Sequence, residues 1–246
     1  MIVKTDSDRE GMRAAGKVVK AALDAAERFI KAGVTTLEID AVVEETIRSM
    51  GATPSSKGFH GYPNASCISV NDVVVHGIPS LQVVKDGDIV SVDITALLNG
   101  YQSDAARTFA VGNVSEQDAA LIAAAKAAFF AGMEYAKAGG HVGDISYAVQ
   151  LYTELHGYGV VRALTGHGIG HKMHEPPEVP NFGKRGTGAP LRSGLCIAVE
   201  PMITAGSWRV YCERDGWTVR TSDKSKAAHY ENTVIITDGE PEILTL

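Results

Sequence analysis

Apolar residues recur at helical spacing close to the start of the chain, at Val18, Val19, Ala22, Leu23, Ala26 and Ile30. With Asp6 or Ser7 as the cap and Gly33 just past the end, they predict a helix running to about Lys31. Thr35 and Glu38 make a capping box for a second helix, ending near Met50-Gly51. After a loop rich in Gly, Pro and Ser the period shortens to two, so that Ala65 to Val75 reads as strand and Asp88 to Phe109 as one β-hairpin. Ile89 to Thr95 is apolar and β-branched, Asn99-Gly100 tolerates the positive φ of a tight turn, and Tyr101 to Phe109 is the return strand. From Ser115 the order repeats. Ser115 with Asp118 begins a long helix to about Ala138, Asp144 begins a shorter one to about Gly157, and short strands follow at Val160 to Leu164, Leu195 to Val199 and Ala228 to Ile236. The match lies in element order and length rather than in letters. It predicts one α/β domain over 1–246, built of two helix-helix-sheet halves, about 1–112 and 113–246, related by a pseudo-twofold with a site at the join.

The hairpin also carries the first chemistry. If Asn99 and Gly100 are the two turn residues, Leu98 lies opposite Tyr101, Thr95 opposite Asp104 and Asp93 opposite Ala106. Asp93 and Asp104 are then diagonal neighbours on one face. Either alone reads equally as a wetted edge position, but two buried like charges need a compensating cation, and a metal is the simplest one. Other donors stand at strands or strand ends: His167 between Gly166 and Gly168, Glu200 after the apolar run Leu195 to Val199, and Glu231 beside Asn232 to Ile236. His167 alone also fits a surface loop, and its glycines read as room for a close approach of backbone and ligand. Two Asp, two Glu and one His form a mixed oxygen and nitrogen set suited to two divalent cations bridged by carboxylates.

Composition narrows the partners and the compartment. The chain has 246 residues, 45% of them hydrophobic, enough for a sizeable core, and a formal charge of -6 without a long basic run. Nucleic acid and anionic membrane are therefore not expected partners. The three cysteines, Cys67, Cys196 and Cys212, are scattered and suit reduced thiols in a cytoplasmic protein. Lys4, Asp6, Asp8, Arg9 and Glu10 leave no apolar core for a signal peptide. The longest apolar run, Ala119 to Met133, includes Lys126 and is too short to span a bilayer.

The Asp93 and Asp104 pair, Gly166-His167-Gly168-Ile169-Gly170 with His174-Glu175-Pro176, Glu200-Pro201 and Glu231 together resemble the type I methionine aminopeptidases over nearly the whole chain. The resemblance implies the pita-bread fold, a duplicated α/β (α+β) unit around a central antiparallel sheet. It implies Asp93 chelating one cation, His167 and Glu200 on the other, and Asp104 and Glu231 bridging both. It assigns His76, in Val75-His76-Gly77-Ile78-Pro79, and His174 to contacts around the scissile bond, with Glu200 relaying a proton. A methionine pocket is implied at Phe59, Tyr62, Cys67, Met173 and Trp217, positions that core packing would also explain. The implied reaction removes the N-terminal methionine of nascent chains when the second residue is small, using a hydroxide generated between two cations, with Co, Mn, Fe and Zn all candidates. With Ile2 as its own second residue, this chain is expected to keep Met1. A monomer is expected, with nascent N-termini as partners and the ribosome as a candidate docking site. Too few positions separate His174 from Glu200 for the helical insertion of type II relatives. Gln102-Ser103 stand where relatives often carry His-Gly, and His171 where an Arg is frequent, which puts the site rim in question. The rivals are an X-Pro dipeptidase or aminopeptidase P with the same five ligands, and a non-catalytic interaction protein on the same fold.

Overall fold

The computed structural model describes Met1–Leu246. Helices α1 (Asp6–Phe29) and α2 (Thr36–Ser49) lead into β1 (Thr53–Pro54), β2 (Ser66–Val70), β3 (Val73–Val75) and the hairpin of β4 (Ile89–Leu98) and β5 (Tyr101–Ala110). Helices α3 (Glu116–Met133) and α4 (Val142–Leu155) restart that order. Short strands follow: β6 (Gly159–Val160), β7 (Thr165–Gly168), β8 (Glu175–Pro180), β9 (Cys196–Val199), β10 (Met202–Thr204), β11 (Val210–Cys212), β12 (Val219–Thr221), β13 (Ala227–His229), β14 (Asn232–Ile235) and β15 (Glu242–Ile243).

Local hydrogen bonding decides where these elements start and stop, and it moves several predicted bounds. Thr5, not Asp6 or Ser7, caps α1: its hydroxyl accepts from the Asp8 N–H at 3.1 Å while Asp8 accepts from the Thr5 N–H, so Asp6 and Ser7 fall inside the first turn. The Thr35 and Glu38 box caps α2 as expected. Helix α3 stops at Met133 instead of Ala138, because the following backbone is claimed elsewhere; the Ala138 N–H donates to Thr237 O at 2.8 Å and Gly139 to Leu191 O at 3.0 Å. Asp144 does not begin α4 but sits in its first turn, accepting from the N–H of His141, the cap, at 2.7 Å. The expected strand Ala65 to Val75 breaks at Asn71, whose φ is 55°. The strand expected over Val160 to Leu164 shrinks to Gly159–Val160, the two residues that pair with β10, and the Arg162 side chain lies over the Trp208 ring at 4.8 Å. The run Ala228 to Ile236 is two strands, β13 pairing β10 and β14 pairing β9, with Tyr230 and Glu231 at the change of sheet.

The hairpin register agrees with expectation throughout: Leu98 faces Tyr101, Thr95 faces Asp104 and Asp93 faces Ala106, with Asn99 at φ 50° and Gly100 at φ 86°. β4 is central to its sheet, pairing with β1, β2 and β5. One face packs under α1 and α2, where Val19, Leu23, Ile39, Val43 and Ile47 meet Val92 and Ile94. A second core joins Phe129, Ile145 and Val149 of α3 and α4 to Ile197 of β9 and Val234 of β14. The two cores meet along β5 and β14. There the Thr233 hydroxyl accepts from the Asp104 N–H at 2.9 Å and donates to Asp104 O at 2.8 Å, and the Glu231 N–H donates to Ala106 O at 3.0 Å. No helix is long and apolar enough to cross a membrane.

Candidate metal and substrate site

That seam is where the acidic residues converge. Asp93 points from the middle of β4 and Asp104 from the diagonal position of β5, both rigid because their strands are paired on each side or stitched through Thr233. His167 is in β7, Glu200 directly follows β9, and Glu231 occupies the change of sheet between β13 and β14. The His167 Nε2 stands 3.6 Å from Asp104 Oδ2 and 3.7 Å from Glu200 Oε1. Those separations are too long for hydrogen bonds and suit donors arranged around a shared ion. Asp104, His167 and Glu231 converge within 4.8 Å of one another, and so do Asp93, His229 and Glu231. The glycines beside His167 are required by packing rather than by a ligand: a Cβ at Gly166 would overlap Ala198 O, and one at Gly168 would overlap Pro176 O. The sequence reading assigned them the wrong neighbour.

Electrostatics distinguishes this cluster from a wetted acidic patch. Burial pushes Asp93 well above the usual carboxylate range, with Asp104 adding to it, and burial raises Asp104 to about 7. Glu200 and Glu231 are likewise raised, first by burial and then by the neighbouring carboxylates. Asp104 Oδ1 and Glu231 Oε1 are buried without any hydrogen-bond partner. Four carboxylates cannot all ionise here unaided, and orphaned oxygens beside an imidazole are a donor set that fits hard and borderline divalent cations. Burial lowers the His167 pKa, leaving the neutral ring a ligand needs.

The profile of metallopeptidase family M24 matches residues 10–238. The chain belongs to metallopeptidase family M24. A methionine aminopeptidase from Clostridium acetobutylicum is 51% identical to this M24 chain over 247 residues, covering 100% of the chain and 99% of the relative. A crystal structure of methionine aminopeptidase from Rickettsia prowazekii superposes with a TM-score of 0.97 at 42% identity, covering 100% of both chains. Prolidase from Pyrococcus furiosus superposes with a TM-score of 0.80 at 26% identity, and the match covers 100% of this chain but 65% of prolidase. The M24 fold, pita-bread in outline, is thus the one expected.

In this M24 metallopeptidase a cleft of about 610 Å³ opens over the acidic cluster, and every residue the sequence assigned to metal, substrate or catalysis lines it. Its apolar end is formed by Phe59, Tyr62, Cys67, Met173 and Trp217, with the Tyr62 and Trp217 rings edge-on at 5.1 Å. Burial pushes the Cys67 thiol far up, so it remains a small apolar lining group and not a nucleophile. His174 stands at the exposed mouth, its ring 4.3 Å from that of His167 and 5.2 Å from Phe59. Partial burial, His167 and His60 lower its pKa to about 4. His76 adopts φ 58°, a left-handed conformation costly for any residue but glycine. The residue that follows it is held fast: the Tyr62 hydroxyl donates to Gly77 O at 3.0 Å, the Gly77 N–H donates to Ser69 Oγ at 3.1 Å, and a Cβ at Gly77 would strike Ile68 O. Gln102, Ser103 and His171, by contrast, lie off the cleft. The Gln102 side chain accepts from the Ser55 hydroxyl at 2.6 Å, Ser103 reaches Thr233, and His171 pairs with Gly100 O at 2.9 Å, so Ser103 and His171 brace the hairpin against the second half while Gln102 ties it to the loop before the cleft-lining Ser56.

One buried residue of the centre escaped the sequence reading. His229 is 2% exposed, and its Nε2 is 3.7 Å from Glu231 Oε2. Burial first, then His76 and Arg107, lower its pKa to about 3. Its signal was its place two positions before Glu231 in an apolar stretch, where a polar ring needs a reason.

Proposed function

We propose that this metallopeptidase removes the N-terminal methionine from polypeptides whose second residue is small. What supports this most is one juxtaposition: buried, partnerless carboxylate oxygens beside His167 at one end of a cleft whose other end is apolar, lined by Phe59, Tyr62, Cys67, Met173 and Trp217. Asp93, Asp104, His167, Glu200 and Glu231 are the residues that would hold two divalent cations, Asp93 toward one, His167 and Glu200 toward the other, and Asp104 and Glu231 shared between them. When bound, such a pair lowers the pKa of an intervening water toward neutrality and polarises the scissile carbonyl. The chain's own groups do the rest. Glu200, at the acidic end of the cleft, takes a proton at its carboxylate and returns it to the leaving amine. The His174 ring, at the mouth, donates to the oxygen that gains charge. His76, whose pKa is lowered by burial and by His174, contacts the peptide on the side of the second residue. Met173 and Cys67 give polarizable walls that suit a thioether.

The chain acts as one catalytic domain with pseudo-symmetric halves about 1–112 and 113–246. It works as a cytoplasmic monomer on emerging N-termini, close to the ribosome, with two cations drawn from Mn, Fe, Co and Zn.

Substrate choice tests the reading against the X-Pro alternative. Met-Ala-Ser is expected to be cleaved well and Met-Leu-Ser and Leu-Ala-Ser poorly, with each misfit methylene worth about 1–3 kcal/mol. Cleavage of Ala-Pro-Gly as fast as Met-Pro-Gly, with proline obligatory at the second position, would reassign the chain to the X-Pro class. For His174→Ala, kcat is expected to fall about 10²- to 10³-fold, as for loss of one oxyanion donor, with metal content unchanged. Metal analysis of the variant decides the matter, since loss of bound cation would make His174 a ligand.

A further inference from the structure

His229 is the one buried ring in this region that no role above explains. Both of its ring nitrogens lack a hydrogen-bond partner, and it is 2% exposed. Its backbone is held on both sides by one hydroxyl: the His229 N–H donates to Thr108 Oγ1 at 2.8 Å, and Thr108 donates back to His229 O at 2.9 Å. Glu231 hangs from the same strand through its bond to Ala106 O. The two side chains are therefore fixed by β5 relative to each other, with His229 Nε2 3.7 Å from Glu231 Oε2. Nearby Arg107 relieves neither of them, since its guanidinium donates to the Glu231 main-chain carbonyl and to Ala106 O. A polar ring enclosed in this way is costly unless a partner comes to it.

We infer that His229 is a positioning residue for Glu231, donating its Nε2–H to Glu231 Oε2 and so fixing which way that carboxylate presents its oxygens to the cations. His229, whose ring nitrogen lies within 4.8 Å of Asp93 and Glu231 oxygens, borders not the cleft that Asp93, Asp104, His167, Glu200 and Glu231 line but a second cavity of about 370 Å³, among Arg107, Thr108 and Tyr230, which places it as a partner of Glu231 and not as a ligand. Less than an ångström of side-chain movement brings the pair to hydrogen-bond distance. An outer partner of this kind orients a ligating carboxylate and tunes how tightly it holds its ion.

This inference rests on the dinuclear metal reading proposed above, and the test separates the two. Mn(II) titration by calorimetry is expected to give two equivalents on the wild type. His229→Ala should then weaken one equivalent about 10- to 100-fold, the loss typical of removing an outer partner. His229→Gln, which keeps an N–H donor of similar reach, should stay within a few-fold of wild type. In the Zn-loaded wild type, proton NMR should show a slowly exchanging imidazole N–H that vanishes in His229→Gln. A wild type that binds no Mn(II) overturns the metal reading and this inference with it. Two tight equivalents in His229→Ala overturn this inference alone, as does a His229→Gln variant as weak as His229→Ala. Should His229→Ala fail to fold, the NMR signal decides: its absence from the Zn-loaded wild type refutes the hydrogen bond.

Discussion

Stripped of divalent cations, the folded enzyme is expected to lose turnover completely and to regain it when Mn, Fe, Co or Zn is returned. The reason is electrostatic as well as chemical. Without a cation, Asp93, Asp104, Glu200 and Glu231 repel one another in a buried site and bind protons more tightly than they would in the unfolded chain. Carboxylates with raised folded pKa values favour folding at pH near their unfolded values of about 4. That contribution is lost as pH climbs through the folded values, about 7 for Asp104. The melting temperature of the stripped protein should therefore fall between about pH 5 and pH 8, and saturating cation should abolish the fall by taking the place of the protons. Full turnover of chelator-treated protein in metal-free buffer would contradict the account, and so would a stripped protein whose melting temperature rises across that range.

Asp104→Asn is expected to remove more than about 10²-fold of activity, beyond the roughly 10- to 100-fold typical of losing an outer partner. The substitution preserves volume and replaces one buried carboxylate oxygen, Oδ1, that has no other partner. The backbone at this position is held independently by Thr233, which both accepts from the Asp104 N–H and donates to its carbonyl. The fold should therefore survive, and the melting temperature of the stripped variant should not fall below that of the stripped wild type. An amide bridges two cations poorly, so metal content should drop together with rate. Wild-type rate and normal metal content in this variant would make Asp104 a structural residue.

How much of this was legible in the letters depends on the range over which each feature is set. The hairpin register was readable because alternation and Asn99-Gly100 are local, and the two aspartates followed from it without any knowledge of the rest. The helix bounds were readable only to within a turn. Helix α3 ends where Thr237 and Leu191 take its backbone partners, and those residues lie far along the chain. The reason for Gly166 and Gly168 was misjudged because the atoms they make room for, Ala198 O and Pro176 O, belong to strands brought alongside by the fold. His229 carried only the signal of a polar ring in an apolar stretch, and that its ring finds no partner is set by strands brought alongside by the fold. The five donors were readable from carboxylates and a histidine standing at strands or strand ends, and the likeness of their spacing to a known family then gave each its role.

The left-handed backbone of His76 bears on how much damage the rest of the molecule can absorb. A residue other than glycine in that conformation costs about 1–3 kcal/mol, and folded domains stand only about 5–15 kcal/mol above their unfolded state. On stability alone, glycine is the better residue at position 76. By keeping an imidazole there, with the following Gly77 held by Tyr62 and Ser69, the chain works with a narrower mutational margin, and a substitution far from the cleft that another scaffold would survive brings this one closer to unfolding.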